Sequence, residues 1–479
     1  MNTNSNRRLT FSEFQALLRL DLMTFIERSF YELNPQATFA RSPHIEVLAT
    51  KLAACRDGKI RRLIVCLPPR MLKSIAVSVA FPAWLLGHDP TKQIIAASYG
   101  QDLSDKHARD CRSLMMSDFY RSIFPRTRLS PEKQSVNDFM TTAHGFRMST
   151  SVGGVLTGRG ADIIILDDPL KPDDALSETK RTGANQWYDN TLLSRLNSKE
   201  SGVIIIVMQR VHQDDLVGHV LDHGDWQVLS LPAIAEEDED HLIDSPLGRR
   251  WFRRKAGEAL QPERESLETL KNMRQNLGTY NFSAQYQQNP VPVGGAIVKT
   301  EWLRFYEPEE LPSGFSLIVQ SWDTACKGGE LNDFSVCTTW RADFENHYLI
   351  DVFRRRLDYP NLKRAVKEQA QKHKANIIII EDKASGIQLI QDLRADGLCG
   401  LKPYDPGPGI DKQMRLYAVS AEFESGRARL PRTASWRDDY VREITGFPGT
   451  KYDDQVDSTT QALELLKTKV RSRLVLSRL

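Results

Sequence analysis

Three apolar runs in the first half of this chain end in side chains able to grip phosphate or a metal ion. LIVCLPPRMLKS (63–74) passes from a strand-like stretch into a loop closing on Lys73 and Ser74, and AVSVAFPAWLLG then reads as a helix. In such a loop backbone N–H groups and the helix N-terminus cradle phosphates, the lysine reaches the outer oxygens and the hydroxyl holds Mg2+. The usual G-x-x-x-x-G-K-[ST] spacing is not met, because Leu67 and Leu72 occupy the two glycine positions. ADIIILDDP (161–169) ends in Asp167, placed to bind Mg2+ through water, and Asp168, placed to position or activate water. The competing reading makes Asp168-Pro169 the opening of a turn. IIIVMQR (204–210) delivers Gln209 and Arg210. Polar groups at the C-terminal ends of neighbouring parallel strands are where open α/β sheets bind ligands, so the three runs together predict a nucleotide site.

The second half offers carboxylates of a different kind. Asp323 ends the run FSLIVQSW, Glu381 ends IIII with Asp382 beside it, and Asp453, Asp454 and Asp457 lie in KYDDQVDSTTQAL. Several hard oxygen ligands meeting at one point are what a two-metal nuclease requires, since paired cations activate water and stabilise the leaving oxygen. A carboxylate that ends a buried strand needs a partner or a solvated cleft. Asp457 has a plainer alternative as a helix cap.

The elements that must position these residues follow from periodicity. RRLIVCLPP, KQIIAASYG, ADIIILDDP and SGVIIIVMQ are continuous apolar runs between longer mixed stretches, which predicts parallel strands buried by helices on both faces. A polar stretch from about Ala235 to Asn289 breaks the rhythm and closes on NPVPVGGA (289–296). Then FSLIVQSWDTA, FSVCTTWRAD and NHYLIDVFRRR read as a meander, followed by a helix (NLKRAVKEQAQKHK), the strand NIIIIEDKASG and a final helix. That order is ribonuclease H-like. The expectation is an α/β chain with a P-loop domain on a mostly parallel sheet (1–235), a linker or lid (236–295) and a ribonuclease H-like domain on a mixed sheet (296–479).

Composition bounds the function classes. At 479 residues and 41% hydrophobic the chain is long enough for two cores and too apolar to be disordered. Its six cysteines are scattered without a C-x-x-C pair, which predicts neither a zinc site nor a disulfide framework and suits a reducing cytoplasm. The polar start MNTNSNRRLT lacks a signal-peptide core, and no apolar run approaches membrane-spanning length. Net charge is only +2, but EEDED (236–240), RRWFRRK (249–255) and a tail with Lys467, Lys469, Arg471, Arg473 and Arg478 form separated blocks. These read either as a positive track on one face or as solvated surface charge.

Two motif sets in order carry a resemblance. PPR-x-x-KS, S-V-G-G-x-x-T-G-R-G-A-D (151–162), LDDP and VMQR-x-H-x-DDL (207–216) resemble the motor domain of phage terminase large subunits. SWDTA, IEDKASG and DD-x-x-D resemble the nuclease motifs of the same family, so the likeness spans roughly Ser42 to Leu466. It implies ATP with Mg2+ bound by Pro69, Arg70, Lys73, Ser74 and Asp167, with Asp168 in place of the more usual glutamate. Gln209 and Arg210 would couple hydrolysis to movement, and Arg159 would be an arginine finger or a DNA contact, with Arg70 the competing finger. It implies two Mg2+ or Mn2+ ions on Asp323 and Glu381, with the third ligand among Asp454, Asp453 and Asp457; Tyr452 stands near a common histidine position. Lys383 would contact the scissile phosphate or neutralise its acidic neighbours. The implied partners are double-stranded DNA, a small terminase subunit and the portal protein of a procapsid, with ring assembly during packaging, in the bacterial host cytoplasm and without a membrane. A helicase with an accessory nuclease, which needs a second motor domain, a transposase or integrase, whose acids would not follow a P-loop, and a catalytically decayed prophage DNA-binding protein are the rival readings.

Overall fold

The computed structural model describes residues 10–156, 158–290, 296–312, 316–324, 334–343, 345–381, 385–405, 410–450 and 452–476. They form two compact units, one of residues 1–271 with 281–291 and the other of 272–280 with 292–479.

The first unit is built on eight strands: β1 (Arg62–Cys66), β2 (Gln93–Ser98), β3 (Leu129–Gln134), β4 (Asp138–Thr141), β5 (Phe146–Ser151), β6 (Ile163–Asp167), β7 (Val203–Met208) and β8 (Gln227–Ser230). Their order is β3-β4-β5-β2-β6-β7-β1-β8. From β5 to β8 every pairing is parallel; β3 and β4 add an antiparallel edge. The four apolar runs are β1, β2, β6 and β7, and all six residues of β7 are buried. One face packs Leu63, Val65, Ile163, Ile165, Ile205 and Val207 into a core with Trp84 and Phe25. The alternate residues Ile64, Ile164, Ile204 and Ile206 pack on the other face. That two-sided burial is why these strands lack polar alternation.

The stretch expected as a linker or lid carries structure of its own. β9 (Glu239–Ser245) and β10 (Gly248–Arg254) form an antiparallel hairpin, so the acidic and basic blocks lie side by side. Arg249 meets Asp244 at 3.0 Å, Arg253 meets Asp240 at 3.4 Å, Arg254 meets Glu239 at 2.8 Å and Lys255 meets Asp238 at 2.6 Å. Arg253, Arg254 and Lys255 thus pair with the acidic block, which favours the reading of the two blocks as surface charge. Of the basic tail, the side chains from Lys469 onward lie outside the described residues.

The second unit holds β11 (Arg304–Tyr306), β12 (Leu317–Asp323), β13 (Ser335–Ala342), β14 (His347–Arg355), β15 (Ile377–Glu381), β16 (Leu401–Tyr404) and β17 (Ala428–Pro431), in the order β11-β17-β14-β13-β12-β15-β16. β12, β13 and β14 are the antiparallel meander, and β15 joins β12 in parallel after the helix Tyr359–His373. The C-terminal helix Asp454–Leu476 lies on this sheet: Ser458 Oγ donates to Ser321 O at 2.7 Å, and Thr338 N donates to Ser458 Oγ at 2.9 Å. No helix among the described residues is long and apolar enough to cross a membrane.

Candidate active sites

In the first unit, β1 leads into a loop whose Arg70 and Leu72 both adopt left-handed backbone, φ 61° and 59°. Leu72 thus takes the conformation that glycine supplies without strain, at about 1–2 kcal/mol for an L-residue. Leu67 does not; it is fully buried beside the strand end. After Ser74 the chain runs through a π-helical segment, Ile75–Ala80, into the helix Phe81–His88. Such segments widen the hydrogen-bond spacing and recur at functional sites.

The side chains converge as the sequence predicts. Ser74 Oγ donates to Asp167 Oδ1 at 3.1 Å, and Ser78 Oγ donates to Asp167 Oδ2 at 2.6 Å. Lys73 Nζ stands 3.0 Å from Asp168 Oδ1. Burial pushes both aspartates upward in pKa; the Ser78 hydroxyl and Lys73 oppose this at Asp167, and the Lys73 charge opposes it at Asp168. Asp168 does not open an ordinary turn: its backbone N–H donates to Val207 O at 2.8 Å, and its carboxylate accepts from Gln209 N at 3.3 Å. The Gln209 amide oxygen is buried without a hydrogen-bond partner.

The arginines are arranged differently. Arg210 Nε donates to Asp215 at 2.9 Å, and Asp215 also caps the helix Leu216–Leu221, so Arg210 braces the loop after β7. Arg159, in a turn with Gly158 at φ 74°, donates to Asp138 Oδ2 at 2.8 Å and lies over the Phe146 ring. Arg70 is exposed at the loop crest.

Three supporting residues were not read from sequence. Ser78 had a signal, standing four residues after Ser74 on the same helical stretch. His107, from the helix Gln101–Met116, places Nδ1 3.5 Å from Asp167 Oδ2, and burial with the nearby Arg147 lowers its pKa to about 4. Arg147 of β5 is fully buried and donates to Ser78 O at 3.1 Å. Neither has a local sequence signal, because both come from distant elements.

In the second unit, Trp322 pairs with Ile380, so Asp323 and Glu381 leave adjacent parallel strands at the same end. The C-terminal helix begins there with Asp454. Burial first, then the charges of Asp457, Asp454 and Glu381, hold the Asp323 carboxyl well above its usual range; Lys412 is the opposing charge. Burial and Glu443 raise Asp454 to about 6 against the pull of Arg354, and its Oδ2 is buried with no hydrogen-bond partner.

Asp457 does not act as a cap. Its carboxylate takes Arg415 at 2.6 Å and Lys412 at 2.7 Å, and Lys412 also reaches Asp453 at 2.8 Å. With Asp457 and Asp453 drawn to these cations, no group of three His, Cys, Asp or Glu side chains stands ready to hold a metal among the described residues. The donor chemistry nevertheless fits a hard divalent cation: all-oxygen ligands, an orphaned buried carboxylate oxygen, and an Asp323 carboxyl raised by like charges. Asp382 and Lys383 lie outside the described residues.

Comparison with known proteins agrees with both halves. Residues 66–305 match the family model described as terminase large subunit, T4likevirus-type, N-terminal, and residues 320–466 match the terminase RNaseH-like domain. No curated protein matches. Among solved structures, the large terminase of a thermophilic bacteriophage is similar in fold in two crystal forms. One is 10% identical with a TM-score of 0.51, covering 91% of this chain and 98% of that one. The other is 11% identical with a TM-score of 0.52, covering 90% and 99%. A complex of that protein with ADP is 11% identical with a TM-score of 0.51, covering 86% and 98%. With a Lys73, Ser74 and aspartate cluster at the strand ends of a parallel sheet in one unit, an acid cluster in the other, and family models matching each, the chain belongs to the terminase large subunits, the ATPase–nuclease family of phage DNA packaging.

Proposed function

We propose that this chain hydrolyses ATP to drive double-stranded viral DNA into a procapsid and cuts concatemeric DNA with a divalent-metal nuclease. The observation that carries the motor reading is the joint placement of Lys73 against Asp168 and of Ser74 and Ser78 on Asp167. Lys73 exchanges Asp168 for the nucleotide phosphates, where its charge offsets the transferring group. The freed Asp168 carboxylate then orients and accepts a proton from the attacking water. Ser74 and Asp167 hold Mg2+, with Ser78 fixing the Asp167 rotamer. The ADP complex of the thermophilic phage's large terminase supports nucleotide binding by this fold.

In the nuclease, Asp323, Glu381 and Asp454 are the metal ligands, joined by Asp457 or Asp453 once Lys412 turns away. Cations there supply a Lewis acid for water and the leaving oxygen. The acids hold them, and Arg415 keeps the helix start in place through Asp457. DNA, a small terminase subunit and the portal are the partners this role requires, with ring assembly while docked on the procapsid in the host cytoplasm.

The test is ATP hydrolysis by purified protein with and without DNA, alongside plasmid cutting in Mg2+ or Mn2+ and in chelator. DNA-stimulated hydrolysis and metal-dependent cutting are expected. Absence of both from folded protein contradicts the proposal and favours a DNA-binding protein with decayed sites.

A further inference from the structure

Asp323 pairs with Val336 on β13, and Val336 pairs with Arg354 on β14. Directly paired residues of antiparallel strands share a sheet face. Arg354 therefore stands on the face that carries the nuclease acids, two strands from Asp323. It is the first of three consecutive arginines, Arg354, Arg355 and Arg356, and Arg356, just past the end of β14, shares the Phe334 ring with it.

Both guanidiniums are braced by aromatic rings. Arg354 lies 4.2 Å from the Phe334 ring centre and 5.1 Å from that of Tyr452. Arg356 lies 4.6 Å from the Phe334 centre. Phe334 and Tyr452 meet edge to face at 5.6 Å. The Arg354 Nη2 is 3.7 Å from Glu443 and 3.8 Å from Asp454, and both its Nε and Nη2 lack hydrogen-bond partners. Arg356 is exposed and, among the described residues, makes no ion pair. Stacking fixes the plane of the exposed Arg356 fork, which suits bidentate capture of an anionic oxygen pair beside the acids, while the enclosed Arg354 fork faces Glu443 and Asp454.

We propose that Arg356 clamps the DNA backbone next to the cut, its fork held ready by Phe334, which Arg354 and Tyr452 pack in place. The proposal rests on the nuclease reading above. Phosphate contacts of this kind set register without reading sequence, so the clamp aligns the scissile phosphate over Asp323, Glu381 and Asp454.

The test uses the full chain and a short labelled duplex in chelator, with affinity measured across a salt series. Each neutralised phosphate contributes a slope of about 0.9 in log affinity against log salt. Arg356→Ala is expected to lower the slope by about that amount. In metal-dependent cutting it should raise KM more than it lowers kcat. Arg356→Lys should restore the slope while leaving affinity below wild type, because the ammonium keeps the charge but not the fork. Asp323→Ala should stop cutting and keep the wild-type slope. A wild-type slope and KM in Arg356→Ala overturns the clamp and leaves the nuclease reading standing. Continued cutting by Asp323→Ala overturns the nuclease reading itself.

Discussion

Asp168 ends a buried strand with a lysine ammonium 3.0 Å away, whereas Asp323 ends one with three further carboxylates as its neighbours. In the motor unit two hydroxyls donate to Asp167 and Lys73 pairs with Asp168. In the nuclease unit Lys412 and Arg415 are engaged by Asp457 and Asp453, and Arg354 stands by Asp454 and Glu443. At Asp323 burial and repulsion outweigh the one opposing charge, Lys412. Like strand ends thus serve different chemistry, according to whether the counter-charge is built in.

The largest effect expected is at the cation-poor site. Asp323→Ala and Glu381→Ala should each reduce plasmid cutting to background while ATP hydrolysis stays near wild type; persistent cutting by folded protein would remove the contrast. Next comes the self-neutralised site. Asp168→Asn should bind ATP normally yet lose roughly 10²–10⁴-fold in turnover, the usual contribution of a positioned base. Asp167→Asn should weaken Mg2+-dependent nucleotide binding itself, and equilibrium binding beside steady-state hydrolysis separates the two.

A third, smaller effect concerns stability without metal. Because the folded pKa of Asp454 is about 6 and its ordinary value is 3.8, the folded state holds a proton that the unfolded state has released between those values. That group's contribution is therefore full below the ordinary value and lost as pH rises through about 6. Asp323, raised further, acts in the same direction. In chelator the thermal midpoint of wild type relative to Asp454→Asn should fall from pH 5 to pH 7, the variant cancelling groups such as His107, whose lowered pKa acts in the opposite direction. Asp323→Asn should raise it at pH 7, and Mg2+ should stabilise wild type more than the variant. A midpoint insensitive to this change would show that the cluster is already balanced.

The smallest effect separates the two leucines at glycine positions. Leu72→Gly relieves left-handed strain while losing partly buried surface, and should change stability by less than about 1 kcal/mol. Leu67→Gly removes a fully buried side chain without such relief and should cost at least the roughly 2–5 kcal/mol of a core leucine truncation. Denaturant midpoints of the two variants decide this.

The strands and their terminal acids were legible because continuous apolar runs have few other uses in a parallel sheet, and a carboxylate at the end of one is conspicuous. Lys73 and Ser74 meet Asp168 and Asp167 at neighbouring strand ends, although the loop spacing departs from the usual one. What was not legible depends on pairing across the chain. The EEDED and RRWFRRK blocks read as separate charges until the hairpin register set Asp240 against Arg253. Asp457 looked like a cap because Arg415 and Lys412 lie some forty residues upstream, and only tertiary folding brings them to it. His107 and Arg147 lacked a signal for the same reason.

The contrast between the two centres is tested most directly by calorimetric titration of Mn2+ into nucleotide-free protein. The account predicts binding to wild type and to Asp167→Asn alike, with that binding lost or strongly weakened in Asp323→Asn. Unchanged binding in Asp323→Asn, with loss in Asp167→Asn, would place the metal-seeking site in the motor and contradict it.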